Sequence, residues 1–352
     1  MSEKILIKGN EALAEAAIAA GCRHFFGYPI TPQNELAAHM SRRLPKAGGV
    51  FLQAESEIAA VNMVYGASAA GVRCMTSSSS PGVSLKAEGL SYLAGCDLPA
   101  VVVNVQRGGP GLGSIQPGQA DYFQATRGGG HGDYHIIVLA PNSVQEMYDQ
   151  TIQAFDLADR YRMTVMILTD GFLGQMMEAV TADGGQRTVD SDKDWAVGGK
   201  RGKRVVNSLF LKPEVLEASN LERYEKYRNV EDAEQRHDGY LLEDAEVVVA
   251  AYGMSSRITR SAIDAARAQV VKAGMLRPVT LWPFPKKAFA AAAESARIFV
   301  TVEMSMGQMI EDVELAIRCR RPVRLCSRVG GMAPDMEQIL DAILKADKEG
   351  AS

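Results

Sequence analysis

A chain of 352 residues, 47% hydrophobic and 23% charged, has the composition of an ordinary globular protein and is long enough for two domains. Its net charge of −4 argues against a general nucleic-acid binder, and no apolar run approaches the length of a membrane span. The cysteines, Cys22, Cys74, Cys96, Cys319 and Cys326, form no C-x-x-C pair, so they read as small buried hydrophobes of a reducing compartment and offer no framework for zinc or an iron–sulfur cluster. Met1-Ser2-Glu3-Lys4 carries no signal-peptide pattern, and a cytoplasmic location is expected.

In chain order, residues 4–10 are an apolar lead-in, and Asn10 is suited to N-cap a helix over 11–20 that Gly21 closes. A short strand over 24–27 then breaks into Gly27-Tyr28-Pro29-Ile30-Thr31-Pro32. Each proline forces the residue before it out of the α region, which fixes the Thr31 hydroxyl in a loop. A helix over 32–44 and a strand over 50–52 lead to Gln53-Ala54-Glu55-Ser56-Glu57-Ile58-Ala59-Ala60. Ile58, Val61, Met63, Val64 and the small residues 67–70 predict a helix buried on most sides, with Glu57 in its first turn, near or inside the core. A carboxylate there either satisfies the N-terminal turn or is kept for chemistry, and the spacing leaves both open.

A strand over 71–76, the run Ser77-Ser78-Ser79-Ser80-Pro81-Gly82, a helix over 84–94 and a β-branched strand over 99–105 follow. Strands over 135–140 and 163–169, with a helix over 143–157 between them, complete an alternation that predicts a doubly wound parallel sheet. Ligands of such sheets sit outside the carboxyl ends of the strands, which is where Gln106-Arg107-Gly108-Gly109-Pro110 falls. The planar fork of Arg107 suits a carboxylate ligand, and a salt bridge to a neighbouring side chain is the rival reading. The glycine-rich run 108–113 has neither a following Lys-Ser/Thr nor G-x-G-x-x-G spacing, so a nucleotide loop is the weaker reading. His131, in Gly128-Gly129-Gly130-His131-Gly132-Asp133, has little packing beside it and faces solvent, a ligand or a partner chain.

After residue 172 the periodicity fades, and 181–229 reads as a charged connector packed over the surface. Its cluster Lys200-Arg201-Gly202-Lys203-Arg204 reads as a solvated loop. From Asp244 the alternation resumes, with strands over 247–251, 276–281, 298–302 and 323–326 and helices over 255–271, 286–295 and 306–318, before a last helix opened by Pro334. The expected division is 1–180, a connector 181–243, and a smaller α/β domain 244–352.

Taken together, Gly27 to Pro32, Glu55-Ser56-Glu57-Ile58-Ala59-Ala60, 76–82, Val105 to Pro110, Val302-Glu303-Met304-Ser305-Met306-Gly307-Gln308-Met309 and Gly330-Gly331 resemble the alpha subunit of the thiamine diphosphate-dependent 2-oxoacid:ferredoxin oxidoreductases. The stretch 116–133 looks most like the branched-chain members, the 2-oxoisovalerate (3-methyl-2-oxobutanoate) enzymes. The resemblance covers nearly the whole chain. It implies a pyrimidine-type thiamine diphosphate-binding domain followed by a transketolase C-terminal-like domain. Glu57 would hydrogen-bond N1′ of the cofactor's aminopyrimidine; Glu55 is its rival, and the Ser-Glu-apolar-Ala-Ala register favours Glu57. Thr31 and Arg107 would hold the 2-oxoacid carboxylate, with His131 and Arg127 as further substrate contacts. Pro29, Ile30, Ser80 and Pro81 would line the cofactor.

No Gly-Asp-Gly followed by an Asn is present, so no metal ligand is expected here and the diphosphate and Mg2+ would belong to a beta subunit. The [4Fe-4S] clusters would lie on that chain or on a small ferredoxin-like subunit, and a gamma subunit would complete a dimer of heteromers. Coenzyme A would be the co-substrate and ferredoxin the electron acceptor, and the chain alone would be inactive. Three rivals stand beside this reading. A 2-oxoglutarate enzyme needs a further cation, which Arg127 could be. An assembly subunit would keep the fold without the chemistry. A nucleotide-binding protein would use the 108–113 loop.

Overall fold

The computed structural model describes residues 4–182, 193–197 and 205–350. The first part of the chain runs β1 (Lys4–Lys8), α1 (Gly9–Ala19), β2 (His24–Gly27), α2 (Asn34–Arg43), β3 (Val50–Gln53), α3 (Glu57–Ala69), β4 (Cys74–Ser78), α4 (Ser80–Gly95) and β5 (Ala100–Gln106). It continues through α5 (Tyr122–Thr126), β6 (Ile137–Leu139), α6 (Val144–Tyr161), β7 (Thr164–Asp170), α7 (Gly171–Gln175) and β8 (Met177–Thr181). The second part runs α8 (Pro213–Ala233), β9 (His237–Tyr240), β10 (Val247–Ala251), α9 (Gly253–Arg267), β11 (Ala273–Pro278) and β12 (Thr280–Trp282). It closes with α10 (Lys286–Ser295), β13 (Ile298–Glu303), α11 (Met309–Ala316), β14 (Val323–Ser327) and α12 (Met336–Gly350).

Strands β5 and β7 are buried along their whole length, which is why their sequences are runs of apolar residues rather than alternations: helices cover both faces of the sheet. The seven-stranded sheet has the order β3-β2-β4-β5-β7-β6-β12, and all of its pairings are parallel except that of β12 with β6. The chain goes outward from β2 to β3, then crosses back to lay β4 on the other side of β2. That reversal opens a crevice at the carboxyl ends of β2 and β4. The second sheet has the order β14-β13-β10-β11-β9, parallel apart from the edge strand β9. The expected α/β architecture is therefore the one found.

Several local expectations change. Asn10 does not cap α1, which begins at Gly9 behind Lys8. Its amide donates instead to the Pro32 carbonyl (2.8 Å) and to Glu35 Oε2 (3.0 Å), tying α1 to α2. The helix expected from residue 84 starts at Ser80, because Pro81 fits the first turn. The expected strand 276–281 is two strands in two sheets: β11 joins the second sheet, and β12 crosses to the edge of the first. The stretch expected to be a connector holds the 21-residue helix α8 and the strand β9. The basic cluster 200–204 lies outside the described residues. Strands β1 and β8 form a small antiparallel pair that the lead-in did not announce. Among the described residues no helix is long and apolar enough to cross a membrane.

Two buried side chains join the sheets. Gln119 donates to the Tyr252 carbonyl (2.9 Å) and accepts from the Ser255 hydroxyl (2.8 Å) and the Met304 N–H (3.1 Å). Asp170 accepts from the N–H groups of Phe172 and Leu173 and, across the boundary, of Met254 (3.4 Å). Burial outweighs these bonds and pushes the Asp170 carboxyl up to about 6. A carboxyl raised in the fold adds stability below its unfolded value that is lost as pH rises through about 6. Asp170→Asn, which does not titrate, should gain in unfolding midpoint relative to the native chain between roughly pH 4 and pH 7. A difference that stays flat with pH in parallel urea titrations would contradict this.

Candidate functional site

The site forms where the loops after β2, β4 and β5 meet the first turns of α3 and α4. The 28–33 loop is rigid because the fully buried Gln33 donates to the Tyr28 carbonyl (3.2 Å) and accepts from Ser77 Oγ (2.6 Å). Tyr28, Pro29 and Thr31 are exposed and Ile30 half-buried, so the loop presents its outer edge to a ligand. Thr31 Oγ1 accepts from Asn34 (3.2 Å), which leaves its hydroxyl proton free to donate.

Arg107 closes the same crevice. Its guanidinium is buried and donates to two carbonyls, Thr31 (3.0 Å) and Leu112 (2.8 Å), while Nε is buried without a partner. Carbonyl dipoles orient a guanidinium without neutralising it. The salt-bridge alternative is not what the structure shows: among the described residues no carboxylate pairs with Arg107. Thr31 and Arg107, separate in sequence, are thus joined directly.

Glu57 is the first residue of α3 and is buried. The cap belongs to Ser56, whose hydroxyl accepts from Ala59 N (3.2 Å), so the Glu57 carboxylate is not spent on the helix end. Among the described residues nothing donates a hydrogen bond to that carboxylate. It rests against α4 at Gly82, where a Cβ would lie 2.7 Å from Glu57 Oε1 and 2.1 Å from Ser78 Oγ. Ser78 Oγ is itself buried without a partner. Glu55 lies exposed before the helix.

Ser80 links these groups. Its Oγ donates to Asp121 Oδ2 (2.6 Å) and accepts from Arg107 N (3.0 Å), and its N–H donates to Asn104 Oδ1 (3.1 Å). Asn104 also donates to Asp121 Oδ2 (2.9 Å). Burial raises the Asp121 carboxyl, and the bonds from Ser80 and Asn104 pull it back. Behind this network a cleft of about 520 Å³ opens between the strand ends of the two sheets, lined by Ser80, Pro81, Pro110, Asp121, Met304 and Met306 among others. The glycines of the 108–113 run are committed to this junction: a Cβ on Gly108 would meet the backbone of Gly330 at 2.8 Å, and Gly113 has φ +63°. That commitment is a structural reason for glycine there that needs no nucleotide.

Two expected contacts are not brought to this place. His131 is exposed at the far half of α4, where Ser91 Oγ donates to its carbonyl (3.0 Å). Eleven residues separate Ser91 from Ser80, roughly 16 Å of helix. Arg127 is ion-paired with Asp312 (3.0 Å) and stands over the Phe123 ring (5.2 Å), so its charge is already engaged. The structure adds Asp121, Asn104, Gly82 and Lys86, none of which the sequence reading singled out. The signal for the last two was available: Gly82, Lys86 and Gly89 recur at helical spacing on one face of α4.

Residues 15–240 match the family described as pyruvate flavodoxin/ferredoxin oxidoreductase, thiamine diP-bdg, and residues 245–339 match pyruvate:ferredoxin oxidoreductase core domain II. The ketoisovalerate oxidoreductase subunit VorB of Methanothermobacter marburgensis is 53% identical over 342 residues, 96% of each chain. A solved 2-oxoglutarate:ferredoxin oxidoreductase from Magnetococcus marinus, with 2-oxoglutarate, coenzyme A and succinyl-CoA bound, superposes with a TM-score of 0.87 at 28% identity, over 98% of this chain and 66% of that longer one. A split-gene transketolase, an inactive beta4 tetramer, shares the fold with a TM-score of 0.62 at 14% identity over 97% of this chain and 98% of that one.

Proposed function

We propose, for a chain that belongs to the thiamine-diphosphate-binding pyruvate flavodoxin/ferredoxin oxidoreductase family, the role of alpha subunit in a CoA-dependent 2-oxoacid:ferredoxin oxidoreductase acting on branched-chain 2-oxoacids, 2-oxoisovalerate first. The overall reaction turns a 2-oxoacid, CoA and oxidised ferredoxin into acyl-CoA, CO2 and reduced ferredoxin. The observation that carries this reading is the Glu57 carboxylate, on a largely buried residue and without a hydrogen-bond donor among the described residues, at the strand ends that also hold Arg107. That donor set fits the pyrimidine half of thiamine diphosphate, and the orphaned Ser78 hydroxyl beside it suits a polar ring. When bound, the cofactor supplies an electron sink at its thiazolium for the pair left by CO2. Glu57 then holds and moves a proton at N1′. Arg107 and the Thr31 hydroxyl orient the 2-oxoacid carboxylate.

The cleft adjoins these groups through Ser80 and Asp121, although Glu57, Thr31 and Arg107 do not themselves line it, and its lining suits an apolar acyl chain. Met304, Met306, Pro110 and Val329 offer an apolar wall, and no Lys, Arg or His stands among the lining residues. Asp121 would repel the distal carboxylate of 2-oxoglutarate, and Arg127 is held by Asp312. We assign residues 1–180 to the pyrimidine-binding unit and 244–352 to the transketolase C-terminal-like unit. Beta, gamma and ferredoxin-like subunits carry the diphosphate and Mg2+ site and the [4Fe-4S] clusters, in a dimer of heteromers. The unpaired cysteines fit a cytoplasmic setting.

The test uses the complex assembled with its partner subunits, purified without oxygen, following CoA-dependent viologen reduction with 2-oxoisovalerate, 2-oxoglutarate, pyruvate and an aryl pyruvate. Preference for 2-oxoisovalerate is expected. Arg107→Lys should cost about 10–100-fold in kcat/KM for every 2-oxoacid, because Lys keeps the charge and loses the fork. Preference for 2-oxoglutarate would overturn the substrate class. No turnover in a complex shown to hold cofactor and clusters would leave the assembly-subunit reading in its place.

A further inference from the structure

A lysine is sealed between the two helices that hold Glu57. Lys86, on α4, is fully buried, and its Nζ donates to the Glu57 main-chain carbonyl (3.3 Å). The helices approach closely because the flanking residues on that face are glycines. A Cβ on Gly82 would lie 2.7 Å from Glu57 Oε1, and one on Gly89 would lie 2.5 Å from Val61 Cγ1. A methionine of similar length would fill this space without desolvating a charge, so the ammonium group is an expensive choice for packing alone. Burial pushes it down to about 8, and the Glu57 carboxylate on α3 is the charged group that pulls it back. On α4 itself, Glu88 is turned away to the surface, where it accepts from Tyr92 Oη (2.6 Å).

We propose that Lys86 is a positioning residue for Glu57, its ammonium group acting as the buried counter-charge that favours the state in which Glu57 has given its proton to N1′. Lys86 touches neither cofactor nor substrate in this arrangement. It acts through Glu57, by pinning the first turn of α3 at the main-chain carbonyl and by attracting the ionised carboxylate through space, since no ion pair joins the two among the described residues. The proposal rests on the reading of Glu57 as the residue that meets the aminopyrimidine. It adds a residue the sequence presented as an ordinary helical lysine.

The experiment measures the affinity of the assembled complex for thiamine diphosphate by isothermal titration calorimetry, from roughly pH 6 to pH 9.5, a range that brackets an ammonium lowered by burial. In the native complex affinity should weaken as pH rises through about 8, where Lys86 loses its proton. Lys86→Met should bind roughly tenfold more weakly at neutral pH, one unit of lost charge coupling, and should lack that inflection. Lys86→Gln, which keeps a donor but no charge, should behave like Lys86→Met, and it decides the matter where Lys86→Met does not assemble. Native affinity and a native inflection in Lys86→Gln would overturn the proposal. Glu57→Gln is run alongside. If it binds and turns over like the native complex, the Glu57 reading itself falls; if it is inactive while both Lys86 variants behave as native, only the role of Lys86 falls.

Discussion

Glu57→Gln is expected to reduce CoA-dependent 2-oxoacid turnover in the assembled complex by about 10²–10⁴-fold, the range for losing a positioned proton-transfer group. Glutamine has the shape of glutamate, so the contacts with Gly82 and Ser78 survive. What disappears, on the role proposed for Glu57, is the ability to exchange a proton at N1′. The fold should be nearly indifferent, because Ser56 rather than Glu57 satisfies the helix end and, among the described residues, nothing donates to the carboxylate. The competing idea, a carboxylate kept for the helix dipole, makes the opposite forecast: a stability loss of about 0.3–1 kcal/mol with turnover retained. Steady-state rates and urea midpoints measured on one preparation separate the two, and a variant with full turnover would remove Glu57 from the chemistry.

The second large effect concerns stability. Gln119→Leu should destabilise the chain by about 3–5 kcal/mol in chemical denaturation, although leucine is close in volume. Three buried partners lose their bond at once: the Tyr252 carbonyl, the Ser255 hydroxyl and the Met304 N–H. None of them has room for water in its place, since Gln119, Tyr252, Ser255 and Met304 are all essentially inaccessible. A useful contrast is Lys287→Ala. It breaks the ion pair with Asp232 (3.2 Å), but those side chains are 72% and 79% exposed, and less than about 1 kcal/mol should be lost. Equal losses for the two variants would refute the view that Gln119 is the joint between the sheets.

What the sequence announces and what it conceals follow from the range of the interactions. The alternation of elements is legible because parallel strands buried on both faces are built from apolar runs, as Val101 to Val103 and Val247 to Val249 are. The loop with Thr31 and the placement of Arg107 are legible because prolines and strand ends are local signals. The pairing of β12 with β6 is not, since neither strand encodes its partner within its own few residues. Asn10 misled for a similar reason. It is a good capping residue, yet a buried bond to Pro32, 22 positions away, claims it. Lys86 was hidden because a single lysine in a helix ordinarily points to water, and only the spacing of Gly82 and Gly89 marks the face it shares with α3. His131 is exposed, as its glycine-rich setting implies, but such a setting says that a side chain is unconfined without saying where it stands.

The crossing of β12 to the first sheet also sets an order of assembly. The chain leaves that sheet after β7, builds α8 and most of the second sheet's first half, and only then returns Thr280–Trp282 to cover β6. During synthesis the amino-terminal sheet therefore waits, with the edge of β6 bare, until the ribosome has passed residue 282. A fragment ending before that point carries the whole cradle of Glu57, Thr31 and Arg107 together with a strand, β6, that is paired with β7 on one side and bare on the other, an edge open to association with another chain. Completion of that sheet depends on three residues that belong, by position in the chain, to the other half.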